Sequence, residues 1–258
     1  MSAPEADRRV TLSIDSGVAH VTLNRPQKRN ALSVALVTEL SVVLARIAND
    51  REVRVVALEG TGPDFCAGAD LAEVAASQHQ GPEVGLSEAR ELGNVFARIR
   101  RLPQPVVAVV RGRALGGGCG LAAACDIVLA HEAATFGFPE VRLGFVPALV
   151  MAVLKRKVGE AAAFDLVVRG HRIGAAEAAG SGLITRVVSA GSFRAEVQAY
   201  LGELATRPPL AIRLTKQLFH GLDGAAFEEA LARGAEVNAV ARLTDECRDG
   251  VRRFLHEK

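Results

Sequence analysis

At 258 residues, with 49% hydrophobic and 23% charged side chains, the chain can bury a substantial core as one large domain or a domain with an appendage, which excludes disorder. Its net charge of +2 is spread over interspersed Arg, Lys, Asp and Glu, and ten Phe, one Tyr and no Trp supply neither the basic stripe nor the stacking platforms of a nucleic-acid binder. Four cysteines form no CxxC pair and six histidines no HxH or HExxH pattern, so reduced thiols and no metal site are expected.

The first ten residues lack an apolar signal-type segment, and no apolar run approaches the ~18 to 20 residues of a membrane span, so a cytoplasmic location is expected. Residues 10–14 and 18–23 read as two strands, with Asp15, Ser16 and Gly17 as turn formers between them. Asn24, Arg25 and Pro26 end the second strand, because proline cannot continue a ladder. Ser33 is placed to cap a helix whose apolar positions Leu36, Leu40, Val43, Leu44 and Ile47 recur at helical spacing, and residues 53–59 read as a buried strand.

Residues 75–87 contain Ser77, Gln78, His79, Gln80, Gly81, Pro82 and Gly85 without an apolar period, which predicts a mobile surface loop or lid. An apolar strand over 106–110, a glycine cluster, a short apolar helix and a strand over 126–130 follow, and this alternation predicts an α/β architecture. From residue 194 strand signals cease and helices are expected over 209–222, 224–241 and 244–255. The chain therefore divides into a mixed core, 1–193, and an all-helical region, 194–258, of the kind that packs against another subunit.

The glycine cluster reads RGRALGGGCGLAAA over 111–124, directly after the strand PVVAVV. Gly116, Gly117 and Gly118 carry no Cβ, so a ligand carbonyl can approach the peptide nitrogens, and a helix amino terminus there adds unpaired N–H groups for an anion or a developing oxyanion. Glycines alone are equally compatible with a tight turn. The stretch GCGLAA formally matches GxGxxA, but too few residues separate it from the next strand for a Rossmann crossover helix, and the GK[ST] ending of a P-loop is missing. A second small-residue segment, FCAGADL over 65–71, again exposes backbone at Ala67, Gly68 and Ala69, so two amides from separate segments can converge.

Five ordered segments, LNRPQKRNALS, FCAGADL, ALGGGCGLAAACD, FGFPEVRLGFVP and RRFLHEK, closely resemble the crotonase superfamily, the enoyl-CoA hydratase/isomerase family. The resemblance implies a spiral of ββα repeats followed by a C-terminal all-helical trimerisation region, and a homotrimer or dimer of trimers. It implies an oxyanion hole made by the N–H groups of Ala69 and Gly117, next to Gly116, for the oxygen of an acyl-CoA thioester. Coenzyme A then enters as part of the substrate, with no separate cofactor. Lys28, Arg29, Ala31, Ala67 and Leu71 map onto the stretches that hold the pantetheine and nucleotide.

Glu140 resembles the family glutamate that exchanges a proton with the substrate α-carbon. If Phe136, Phe138, Val141 and Leu143 surround it in space as they do in sequence, desolvation raises its pKa. Family hydratases commonly place a second, water-activating glutamate three residues after the amide-donating glycine; here that position is Gly120, counted among the substrate-binding residues, and Gly120→Glu is expected to raise hydration. The favoured reading is an enoyl-CoA hydratase, a lyase adding water to a 2-enoyl-CoA. The alternatives are a 3-enoyl to 2-enoyl isomerase using Glu140 alone and a non-catalytic acyl-CoA binding protein.

Overall fold

The computed structural model describes residues 8–256; the segment 1–7 and the last two residues of RRFLHEK lie outside the described residues. The chain opens with strands β1 (Val10–Asp15) and β2 (Val18–Leu23), helix α1 (Val34–Ala48), strand β3 (Val55–Gly60) and helices α2 (Leu71–Ser77) and α3 (Pro82–Arg101). Strands β4 (Val106–Val110) and β5 (Arg113–Leu115) lead into helix α4 (Gly117–Ala124), and β6 (Ile127–His131) and β7 (Thr135–Gly137) lead into a 3-10 turn (Pro139–Leu143). Helices α5 (Ala148–Lys157) and α6 (Glu160–Arg169), strand β8 (Arg172–Gly174), helix α7 (Ala175–Gly180) and strand β9 (Arg186–Val188) follow. The chain closes with α8 (Phe193–Ala205), α9 (Pro209–Gly221), α10 (Phe227–Arg242) and α11 (Asp245–His256).

β1 and β2 form the expected hairpin, with Ser16 and Gly17 at positive φ as a two-residue loop matched to strand twist requires. From β2 onward the six-stranded sheet β1-β2-β3-β4-β6-β9 is parallel. A parallel sheet is covered on both faces, which is why VVAL in β3 and VVAVV in β4 are buried runs without alternation. One face packs on α1 through Leu36, Leu40, Leu44 and Ile47. Helix α8 covers the other, setting Phe193, Val197 and Leu201 against Val55, Ala57, Val107 and Leu129. Thus α8, which begins at Phe193 and runs into the helical region, buries its apolar stripe on the core sheet.

A second sheet, β5-β7-β8, is built from β5 and β7, the strands that immediately follow β4 and β6, with β8 added antiparallel to β7 after α6. Each pass of strand, short link, strand and helix is one ββα turn of a spiral, and its links deliver the glycine cluster and Glu140 to one region.

The expected loop over 75–87 is instead the end of α2, a link at 78–81 and the first turns of α3. Gly81 precedes Pro82, which begins α3 as a helix-initiating N1 residue. Its buried side chains, Val95, Phe96 and Ile99, all lie in its second half, so the solvated first half shows no apolar period.

Helix α9 is fixed to the core by charge. The Lys216 ammonium, 6% exposed, lies 2.7 Å from Asp126 and donates to the carbonyls of Ile99 and Gln104, while His220 one turn on meets the other Asp126 oxygen at 2.8 Å. Burial alone would push the Asp126 carboxyl up; the His220 hydrogen bond and the Lys216 charge outweigh it and hold the group below the usual carboxylate range. Among the described residues no helix is long and apolar enough to cross a membrane.

Candidate active site

Three segments leave the ends of β2, β3 and β4 and run side by side. The first, after β2, carries Lys28 and Arg29 exposed on its surface and Ala31 buried beneath. Its anchor is Asn30, wholly buried at a positive φ of 55°, a conformation asparagine tolerates better than most residues. The Asn30 side-chain amide donates to the carbonyls of Thr61 and Asp64 and accepts from the Arg25 N–H, binding the first segment to the second. The Arg25 guanidinium adds bonds to the Ala31 carbonyl and the Asp70 carboxylate.

The second segment presents Ala67 at intermediate exposure, Ala69 exposed and Leu71 exposed at the start of α2. Leu32 N–H donates to the Gly68 carbonyl at 2.8 Å, and Asp70 N–H to the Leu32 carbonyl at 3.1 Å. In a trans peptide the C=O and N–H point in opposite directions. With the Gly68 carbonyl turned toward Leu32, the Ala69 N–H of the same peptide unit is turned away from it, and it has no acceptor among the described residues.

The same reasoning applies at the glycine cluster. The Gly116 carbonyl accepts from Gly120 N–H at 2.9 Å, inside the helix. The Gly117 N–H therefore points out of the amino terminus of α4, one of the orphan donors of a first turn, where the helix dipole favours negative charge. The two segments touch: Cys66 N–H donates to the Arg113 carbonyl and Leu115 N–H to the Cys66 carbonyl. At Gly68, φ is +98°, and an added Cβ would lie 2.9 Å from the Leu115 carbonyl oxygen and 3.7 Å from the Gly116 Cα. Ala69 and Gly117 each follow one of these abutting glycines, and Leu32 flanks both, since its Cδ1 lies 3.1 Å from where a Gly117 Cβ would stand.

Glu140 arrives on the 3-10 turn after β7 and sets its carboxyl against Gly116. A Cβ on that glycine, whose φ is +52°, would sit 2.8 Å from Glu140 Oε1. Oε2 is buried without a hydrogen-bond partner. Burial pushes the Glu140 carboxyl above the usual glutamate range, opposed by a bond from its own amide. The expected ring of apolar neighbours is corrected in part: Phe136 and Phe138 lie in the core, whereas Val141 and Leu143 are exposed on the outer side of the turn.

Gly120 does not face an open slot. It is buried one turn into α4, and a Cβ there would overlap Val150 Cγ1 of α5 and press to 3.1 Å from Phe96 Cζ of α3. Both are short or ring atoms that cannot swing aside, so the expectation that Gly120→Glu simply adds a carboxylate is corrected: close packing of α4 on α5 sets the glycine. Leu92 joins Leu32 beside Gly117. Asn30, Leu92 and Val150 went unnoticed in the sequence; only Asn30, in a loop needing positive φ, carried a local signal. A separate cleft of about 710 Å³, lined by Arg54, Thr206, Arg207, Glu246 and Arg252 among others, contains none of these residues.

A family model described as Enoyl-CoA hydratase/isomerase matches residues 13–258. A putative enoyl-CoA hydratase of Thermus thermophilus is 40% identical over 241 residues, 93% of this chain and 95% of its own. A short-chain-enoyl-CoA hydratase of Clostridium acetobutylicum is 34% identical over 255 residues, 96% and 95% of the two chains. The crystal structure of an enoyl-CoA hydratase from Mycobacterium smegmatis superimposes with a TM-score of 0.94 at 33% identity, over 98% of each chain. With the ββα spiral, the abutting glycine segments and a match that runs almost end to end, this chain belongs to the enoyl-CoA hydratase/isomerase family, the crotonase superfamily.

Proposed function

We propose that the chain adds water across the double bond of a 2-enoyl-CoA thioester, with Ala69 and Gly117 holding the thioester oxygen and Glu140 moving the proton. The observation that carries this reading is a desolvated carboxyl resting against Gly116, one residue from an outward-pointing helix-terminal amide. As water oxygen bonds to C3, its proton passes to the Glu140 carboxylate and the π pair moves onto the thioester as an enolate. Two preorganised donors meet that charge, each worth on the order of 3 kcal/mol in sites of this type. The enolate then takes the proton back from Glu140 at C2, which regenerates the carboxylate.

The isomerase reading is favoured by one observation, the apolar filling of the Gly120 position by Val150 and Phe96. There Glu140 removes a proton from C2 of a 3-enoyl-CoA and returns it at C4, and no water is needed. Both readings use the same two amides. On either, Lys28 and Arg29 face the nucleotide phosphates by charge, and Ala31, Ala67 and Leu71 border the pantetheine. Exposed Phe219 on α9, Phe227 and Leu231 on α10 and Leu243 just after it support assembly of the helical region with further copies of the chain in a trimer or dimer of trimers.

The test is spectroscopic. Purified protein is mixed with crotonyl-CoA and the absorbance of the conjugated thioester is followed; a 3-enoyl-CoA is then supplied separately. Loss of signal in the first supports hydration, gain in the second supports isomerisation, and silence in both with binding intact overturns the catalytic reading in favour of a binding protein.

A further inference from the structure

The two amide-bearing segments are joined along one edge by three hydrogen bonds converging on a single carboxylate. Asp64 is 3% exposed. Its Oδ1 accepts from the Arg113 main-chain N–H at 3.0 Å and from Arg113 Nε at 2.7 Å, while Oδ2 accepts from Arg113 Nη2 at 2.7 Å. Burial works against this charge, yet the Arg113 hydrogen bonds hold the carboxyl below its usual range, so it is ionised as its three donors require.

Position gives the pair its significance. Asp64 immediately precedes the FCAGADL segment and Arg113 opens β5, which ends one residue before Gly116. Between the fork and the amides lies one short parallel bridge, Cys66 with Ala114, and then the abutment of Gly68 on Leu115. Each segment is held elsewhere by a different neighbour: the second by Asn30 on its other side, the third by Gly116 N–H donating to the Gly137 carbonyl. The fork reinforces the register set by three main-chain bonds, Phe65 N–H to the Arg111 carbonyl, Cys66 N–H to the Arg113 carbonyl and Leu115 N–H to the Cys66 carbonyl, and so limits how far one segment slides along the other. Arg113 Nε and Nη2 clasp both carboxylate oxygens in a plane, a geometry that a single ammonium cannot reproduce.

We infer that Arg113 and Asp64 are positioning residues that set the spacing between the Ala69 and Gly117 amides, and so tune oxyanion stabilisation without touching substrate. This rests on the proposed function above. An amide displaced by about 1 Å loses most of its benefit in the transition state while ground-state binding survives, because the coenzyme A portion is held by other residues. The expected signature is a fall in kcat with KM nearly unchanged.

The test compares wild type with Arg113→Lys and Asp64→Asn. Turnover of whichever enoyl-CoA the wild type uses is measured beside a second readout, the ultraviolet enolate band of bound acetoacetyl-CoA, whose ionised oxygen the two amides should stabilise. Expected for both variants are a loss of about 10-fold or more in kcat, a weaker enolate band at saturating ligand, and an acetoacetyl-CoA Kd at high pH, where the ligand is already ionised, that shifts in step with the band. The double variant should lose little beyond either single one, because the two residues act as one unit.

If Arg113→Lys does not fold, Asp64→Asn alone carries the comparison, with thermal unfolding reporting fold integrity. Variants with kcat and enolate band within two-fold of wild type overturn the inference and leave the proposed function intact. A wild type that neither turns over enoyl-CoA nor generates the band overturns the proposed function and the inference with it.

Discussion

Replacing Glu140 with Gln separates the chemical and structural consequences of one side chain. Gln keeps the shape of the carboxyl but can neither accept nor return a proton, so turnover should fall by about 100-fold or more, equivalent to about 2.7 kcal/mol of transition-state stabilisation. The effect on folding runs the other way. Glu140 is held with one oxygen buried and unpartnered, and burial raises its pKa above the ordinary value of 4.5. Between the unfolded and folded pKa values the folded protein binds more protons, so the contribution of this group is fully present below the unfolded value and is lost as pH rises through the folded one. A neutral amide has no such loss, and Glu140→Gln should gain stability relative to wild type as pH rises from about 4.5.

Because the carboxyl is only partly buried and water screens it, the gain should sit at the low end of the cost of an unsatisfied buried group, about 1 kcal/mol. Urea unfolding at several pH values, with steady-state turnover on the same samples, checks both halves. In wild type, turnover should decline toward acid through a value above 4.5, since hydration and isomerisation alike begin from the carboxylate. Retained turnover in Glu140→Gln would remove Glu140 from the chemistry. Lost turnover with a pH-independent stability difference would mean that its burial has been misread.

Gly120→Ala should be destabilising by about 1–2 kcal/mol despite the higher helix propensity of alanine, because the new methyl meets Val150; the companion change Val150→Ala should recover part of the loss in thermal melts. Asp64→Asn should change the acid limb of stability. The folded Asp64 carboxyl is depressed, so its contribution is complete above the ordinary value of 3.8 and is lost as pH falls through the lower folded value; the wild-type and variant curves should keep a constant gap toward neutrality and converge as pH falls below 3.8.

How much of this was legible in the sequence depended on whether the cause was local. The hairpin, α1 with its Ser33 cap and the strand before the glycine cluster each carry their signal within a few residues, and the Ser33 hydroxyl does accept from Leu36 N–H. The end of α2 and the first turns of α3 were misread because they lie in solvent and bury nothing periodic. Gly120 was counted among the substrate-binding residues, with room for a glutamate, because the Val150 side chain against it comes from another helix. Asp64 and Arg113 stand 49 residues apart, and neither has a neighbour that advertises the other. The small residues of the two segments were legible in the sequence, but the abutment of Gly68 on Leu115 and Gly116, and the outward turn of each following amide, come from which carbonyl its peptide partner is bonded to, a matter of three-dimensional register.

The ammonium of Lys216, sunk beside Asp126, ties the fate of the terminal helices to that of the sheet. Peeling α9 away would carry Lys216 and His220 into water and take from Asp126 the two partners that offset its burial. Fraying from the carboxyl end should therefore stop short of residue 216, and heating should melt the sheet and α9 in a single cooperative step, whatever α10 and α11 do first.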